Sequence, residues 1–133
     1  MRKDRSVPIA TIRWVGGRVR IIDQRMLPRR EIYRDLSTPS ELVRAIRSLA
    51  VRGAPALGIA GAYGIALAAR VAEQSDREPL PGIQRAARLI VGSRPTAVNL
   101  AAGVGRAVAA IERLGDGSVT ASRLIRAARE AGD

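Results

Sequence analysis

Val51-Arg-Gly-Ala-Pro-Ala-Leu-Gly-Ile-Ala-Gly-Ala-Tyr-Gly-Ile-Ala-Leu-Ala-Ala69 is the stretch on which the fold turns. From Gly53 to Ala69 it carries no charge, and it holds glycine at 58, 61 and 64. Each glycine inside a helix costs roughly 1 kcal/mol relative to alanine. Three are tolerated only where another backbone or a ligand must come close. Pro55 falls in the first helical turn, where its fixed φ fits and its missing N–H is not needed. Arg52-Gly53-Ala54 then stands at the positive end of a buried helix, an arrangement suited to an anion. The same local physics also accommodates Arg52 as an ordinary charged residue in a tight turn. A membrane span is disfavoured, because 17 uncharged residues reach only about 25 Å.

Working outward, 133 residues support one domain with a real core. That core must be aliphatic, since Trp14, Tyr33 and Tyr63 are the only aromatics. There is no cysteine and no histidine, which removes thiolate chemistry, disulfides and the commonest general base and metal ligand. The basic start lacks a following apolar run, so the reading is a cytoplasmic chain with no membrane partner. A net charge of +11 raises the question of nucleic acid. The arginines are spread along every segment and aromatics are few, so no specific nucleic-acid partner is expected.

Before the central stretch, Thr11–Val15 and Arg18–Ile22 flank Gly16-Gly17, a hairpin signal. Ile12, Trp14, Val19 and Ile21 alternate with Arg13, Arg18 and Arg20, giving one apolar and one basic face. Met26-Leu-Pro28 ends the strand region. Thr38-Pro-Ser-Glu41 is a capping box with proline at the first helical position. The helix it opens has an apolar stripe of Leu42, Ala45, Ile46 and Leu49 and ends near Ala50.

After the central stretch, Gln74–Pro81 reads as a surface loop and Pro81–Val91 as a helix burying Ile83, Ala86, Ala87 and Ile90. Gly92–Leu100 repeats the opening logic: glycine, arginine and proline introduce an alanine-rich helix to about Leu114, with Gly103 and Gly105 predicting close packing. Arg94 is thereby expected at a second helix N-terminus. Two arginines at two helix starts can converge on one phosphate, although spacing alone does not make them meet. A turn at Gly115–Val119, with Thr120 opening a last helix over Ala121–Ala131, completes the reading. The fold class is α+β, an antiparallel hairpin over residues 11–28 packed on four to five helices over residues 38–131.

Four ordered motifs carry a resemblance: Ile12-Arg-Trp14, Gly17-x-Val19-x-Ile21-Ile-Asp-Gln-Arg25-x-Leu-Pro28, Val51-Arg-Gly-Ala-Pro-Ala-x-Gly-Ile59 and Ser93-Arg-Pro-Thr-Ala-Val-Asn-Leu100. Together they resemble the N-terminal part of the S-methyl-5-thioribose-1-phosphate isomerases of methionine salvage. Ribose-1,5-bisphosphate isomerases and regulatory subunits of a translation-initiation exchange factor belong to the same wider group. The resemblance implies a cofactor-free aldose–ketose isomerisation, with Arg52, Gly53, Ala54 and Arg94 binding the sugar phosphate. It leaves Asp23, Arg25 and Glu41 as structural, paired or capping residues. It also implies a homodimer in the full-length family and a catalytic cysteine and aspartate in a Rossmann-like C-terminal domain absent from this chain. No catalytic residue is assigned here, and the segment alone is expected to be inactive, to expose an apolar patch and to self-associate. The alternative is a non-catalytic assembly or regulatory module of the same family.

Overall fold

The computed structural model describes residues 11–114 and 121–133. The turn expected at Gly115–Val119, and Thr120, lie outside the described residues. Strands β1 (Ile12–Val15) and β2 (Arg18–Ile22) pair antiparallel, with Ile12 opposite Ile21 and Trp14 opposite Val19. Gly16 and Gly17 have φ of +58° and +83°, the left-handed pair that a two-residue hairpin turn demands. A third strand, β3 (Tyr33–Leu36), pairs with the far side of β2 and was not foreseen. Its sequence Tyr-Arg-Asp-Leu offers only Leu36 to the core, so hydrophobic alternation could not reveal it.

The capping box forms with one change. Thr38 Oγ1 accepts from the Glu41 N–H at 3.1 Å, while Glu41 reaches past the cap to accept from the Ser37 N–H at 2.6 Å. Helix α1 (Pro39–Arg47) buries Leu42, Val43, Ala45 and Ile46. Leu49, expected in the apolar stripe, is instead 43% exposed with φ +68°. The helix has already ended: the Leu49 N–H donates to Ile46 and the Ala50 N–H to Ala45, a Schellman closure with leucine at the left-handed position. Ala50 and Val51 take the buried places. Leu49→Gly is therefore expected to stabilise the fold by about 1 kcal/mol, read as a higher urea midpoint at unchanged slope.

Helix α2 (Ala54–Gln74) is the core element, in contact with α1, β1, β2 and the three helices that follow. It has the length and apolarity of a membrane span, but 72% of its most apolar window is buried inside the chain. Helix α3 runs Pro79–Ser93, starting two residues earlier than expected. Both Pro79 and Pro81 lie in its first turn, where no N–H is required, so the loop is confined to residues 75–78. Helices α4 (Val98–Glu112) and α5 (Ala121–Gly132) pack on α2 and on each other.

The glycines show why α2 is so bare. A Cβ on Gly61 would meet the Leu100 carbonyl oxygen at 2.5 Å, and one on Gly103 would fall on the Gly58 carbonyl oxygen. Here α2 and α4 touch backbone to backbone. Gly105, also expected at a close contact, has nothing within 4 Å of its Cβ position and sits on the exposed side of α4. Beneath the hairpin, the Trp14 and Tyr63 rings meet edge to face at 5.7 Å.

Candidate functional site

The start of α2 is built from the sequence outward. Gly53 is the N-cap with φ +97° and no side-chain cap, and the Leu57 N–H closes the first helical bond on its carbonyl at 2.9 Å. The N–H groups of Ala54 and Ala56 have no intrahelical acceptor at this end. Arg52, Gly53, Ala54 and Pro55 are all exposed, so the positive end of a 21-residue helix opens to solvent. Arg52 makes no hydrogen bond or ion pair among the described residues.

The start of α4 lies alongside. Asn99, in the first turn of α4, donates from Nδ2 to the Ala54 carbonyl oxygen at 3.1 Å. Asn99 also lies against Gly58, and Gly103 against Gly58, so the two helices begin at the same end and run together. Sequence reasoning missed Asn99. Its signal was a lone amide in an otherwise apolar first helical turn.

Arg94 does not stand at the α4 N-terminus as expected. It is the C-cap of α3, with φ −144° and ψ 78°, and α4 begins only at Val98. Pro95 forces the residue before it out of helical geometry, and an intervening turn closes from the Ala97 N–H to the Arg94 carbonyl at 2.9 Å. Arg94 therefore sits in the loop between two helices, half-buried and with no ion pair among the described residues. Gly53 and Ala54 are where the sequence put them. The structure joins Ala54 directly to α4 through Asn99, while Arg94 lies in the loop that leads into α4.

The charged residues expected to be structural are so. Asp23 is wholly buried; its carboxylate accepts from the Arg25 backbone N–H, from Arg25 Nε and Nη2 at 2.9 and 2.6 Å, and from Arg34 Nε at 2.7 Å. Those guanidinium bonds, opposed by burial, hold the Asp23 carboxyl well below the usual carboxylate range and raise Arg25. The Asp23 N–H donates to Ile32 and the Gln24 N–H to Ala50, tying the sheet to the segment that leads into α2. On the outer sheet face Arg20 grips Asp35 with two bonds at 2.8 and 3.1 Å, lowering Asp35. The Tyr63 hydroxyl donates to Asp133, and burial first, then that bond, push it above its ordinary value. Each of these groups is locked in a structural partnership. Among the described residues no group of three His, Cys, Asp or Glu converges.

A face of α4 is open as well: Val98 is 77% exposed, with Ala101, Ala102 and Gly105 exposed beside it.

The chain is 40% identical over 109 residues to a methylthioribose-1-phosphate isomerase of Pseudomonas paraeruginosa, covering 82% of this chain and 30% of that protein. It is 46% identical over 93 residues to the enzyme of the same name from Albidiferax ferrireducens, covering 69% and 26%. The chain thus spans about 30% of the length of the curated relatives it matches. Among solved structures, translation initiation factor eIF-2B, subunit delta, from A. fulgidus superposes with a TM-score of 0.79 at 37% identity, covering 94% of this chain and 36% of that one. The 5-methylthioribose 1-phosphate isomerase from Pyrococcus horikoshii OT3 gives 0.78 at 29%, covering 92% and 34%. The Initiation factor 2 subunit family description matches residues 50–132, a segment holding α2, α3, α4, α5 and both candidate arginines. With the fold shared over nine-tenths of the chain and that match over more than half of it, this chain belongs to the Initiation factor 2 subunit family.

Proposed function

We propose that the chain is the substrate-clamping part of a methylthioribose-1-phosphate isomerase acting in methionine salvage in the cytoplasm. Arg52, Gly53 and Ala54 hold the sugar phosphate at the mouth of α2, and Arg94 closes on it from the α3–α4 loop. The observation that carries this reading is the Asn99–Ala54 bond, which sets the α4 start beside the α2 start. Arg52, with no protein partner among the described residues, supplies a fork-shaped donor to an oxyanion, and the α2 dipole adds to it.

Isomerisation between an aldose and a ketose moves hydrogen between neighbouring carbons and needs a positioned acid and base. Asp23 and Tyr63 are occupied in the fold, and the resemblance to the isomerases implies that the reacting groups come from a Rossmann-like domain outside this chain. That domain covers the exposed face of α4, and the complete protein pairs as a homodimer.

The test is calorimetric titration of the chain with methylthioribose 1-phosphate and with inorganic phosphate. Binding is expected for both, with Arg52→Ala weakening it about ten- to hundredfold, the worth of a charged hydrogen-bonding group, and Arg94→Ala weakening it less. Turnover by the chain alone is expected to be undetectable, and measurable turnover would overturn the division of labour. The likeness to the eIF-2B subunit favours a second reading, a non-catalytic assembly module. Phosphate-independent self-association, together with no effect of Arg52→Ala on either ligand, would establish that reading in place of the first.

A further inference from the structure

Folding gathers arginines that the sequence spreads out. Arg25 and Arg34 line one open groove with Arg44 and Arg47 of α1, along the free side of edge strand β3. A smaller concavity on the outer sheet face is lined by Arg13, Arg20, Tyr33 and Asp35. Tyr33 and Asp35 belong to both, so the two hollows form one surface running over β3. Six arginines from β1, β2, the Asp23 turn, β3 and α1 therefore line the two hollows that share one tyrosine, which is 51% exposed and donates its hydroxyl to Glu31 at 3.0 Å.

Two features separate this surface from a solvated charged face. The buried Asp23 carboxylate fixes Arg25 and Arg34 by their Nε edges while their side chains stay 43% and 46% exposed, so their outer donors face the groove already oriented. The lining acids are already committed: Asp35 to Arg20, and Glu41 to the Ser37 N–H. The side chains of Arg13, Arg44 and Arg47 make no hydrogen bond or ion pair among the described residues. An oriented basic track with an aromatic ring at its middle is the footprint of a single-stranded nucleic acid, whose phosphates follow the guanidiniums while a base stacks on the ring. A duplex presents no free base to Tyr33 and is too stiff to turn around a strand edge.

We propose that this surface binds single-stranded nucleic acid without base specificity, as a function independent of the sugar-phosphate site at α2. The test is fluorescence anisotropy of the chain with a labelled 12-nucleotide oligouridine and with a 12-base-pair duplex, across a salt series. The single strand is expected to bind more tightly. Its log–log salt slope should lie at about −2 to −3, the release expected for three to four phosphates. Arg44→Ala with Arg47→Ala should flatten that slope by about 1.4 and weaken binding at least tenfold. Tyr33→Ala should weaken binding about tenfold with the slope unchanged, because stacking displaces no counterion. Arg88→Ala with Arg126→Ala, on α3 and α5, removes the same charge elsewhere and should leave most of the affinity. The proposal is overturned by equal or tighter duplex binding, by an inert Tyr33→Ala with native circular dichroism, or by the control pair losing as much affinity as the Arg44 and Arg47 pair.

Discussion

Gly103→Ala is expected to destabilise the fold by about 1–2 kcal/mol net, whereas Gly105→Ala, two residues along the same helix, is expected to stabilise it by about 0.5–1 kcal/mol. A Cβ at Gly103 falls on the Gly58 carbonyl oxygen and within 2.8 Å of its carbonyl carbon. Those are backbone atoms of a buried helix, and no rotamer change can remove them. The helices must part, and forced expansion of a packed core typically costs 1–3 kcal/mol and occasionally more. Against that stands the roughly 1 kcal/mol that alanine gains over glycine in any helix. At Gly105 the Cβ position is open, so only that gain remains. Urea unfolding followed by circular dichroism at 222 nm measures both, and equal midpoints for the two variants would refute the backbone contact. The effect also reaches the site: parting α2 from α4 stretches the Asn99–Ala54 bond, so any Gly103→Ala protein that folds should bind phosphate more weakly.

Asp23→Ala is the second large effect, expected at about 2 kcal/mol. The substitution removes one buried carboxylate that accepts from two guanidiniums and a backbone N–H. Hydrogen bonds to charged groups contribute about 1.5–3 kcal/mol each, but the arginine side chains are nearly half exposed and regain water when released, which discounts the sum. Asp23→Asn keeps the shape and one acceptor and should cost less. The pH dependence separates charge from shape. The carboxyl is held below its ordinary value of 3.8 in the folded chain, so its contribution is complete above that value and is lost as pH falls beneath it. The stability gap between the native chain and Asp23→Asn should therefore be constant from pH 7 to about pH 5 and narrow below about pH 4. A gap unchanged down to pH 2 would show that Asp23 acts through packing alone.

Much of the architecture was legible in local patterns. Gly16-Gly17 between alternating strands fixed the hairpin and its register, because only that turn suits two positive φ angles. Thr38-Pro39 fixed the start of α1 to the residue. Strand β3 was hidden because it lies at a sheet edge and inserts one side chain, so neither alternation nor β-propensity marks it. Leu49 misled for a related reason. Its spacing continued the helix stripe, but the chain had already turned to bring Ala50 and Val51 inward. At the candidate site, the open N-terminal end of α2 followed from Pro55 and the uncharged run behind it, whereas the Gly53 cap emerged only from the backbone. Arg94 as a helix-start residue did not survive, because the proline after it enforces an extended conformation that delays α4.

By itself the sequence determined that one bare, glycine-bearing helix lies at the centre, since a segment so poor in side-chain bulk gains stability only from close contact on every side. It also determined that Arg52 stands where that helix presents unpaired N–H groups. Only the tertiary structure decided which glycines matter: Gly103 meets a backbone and Gly105 meets solvent, a difference between two faces of one helix that identity alone does not carry. It alone decided that Asn99 ties the two helix starts together, and that six arginines distant in sequence line two hollows sharing Tyr33. The reason is the same throughout. Local sequence fixes backbone conformation over a few residues, but which surfaces face one another depends on where separate elements are brought together by the packing of the core.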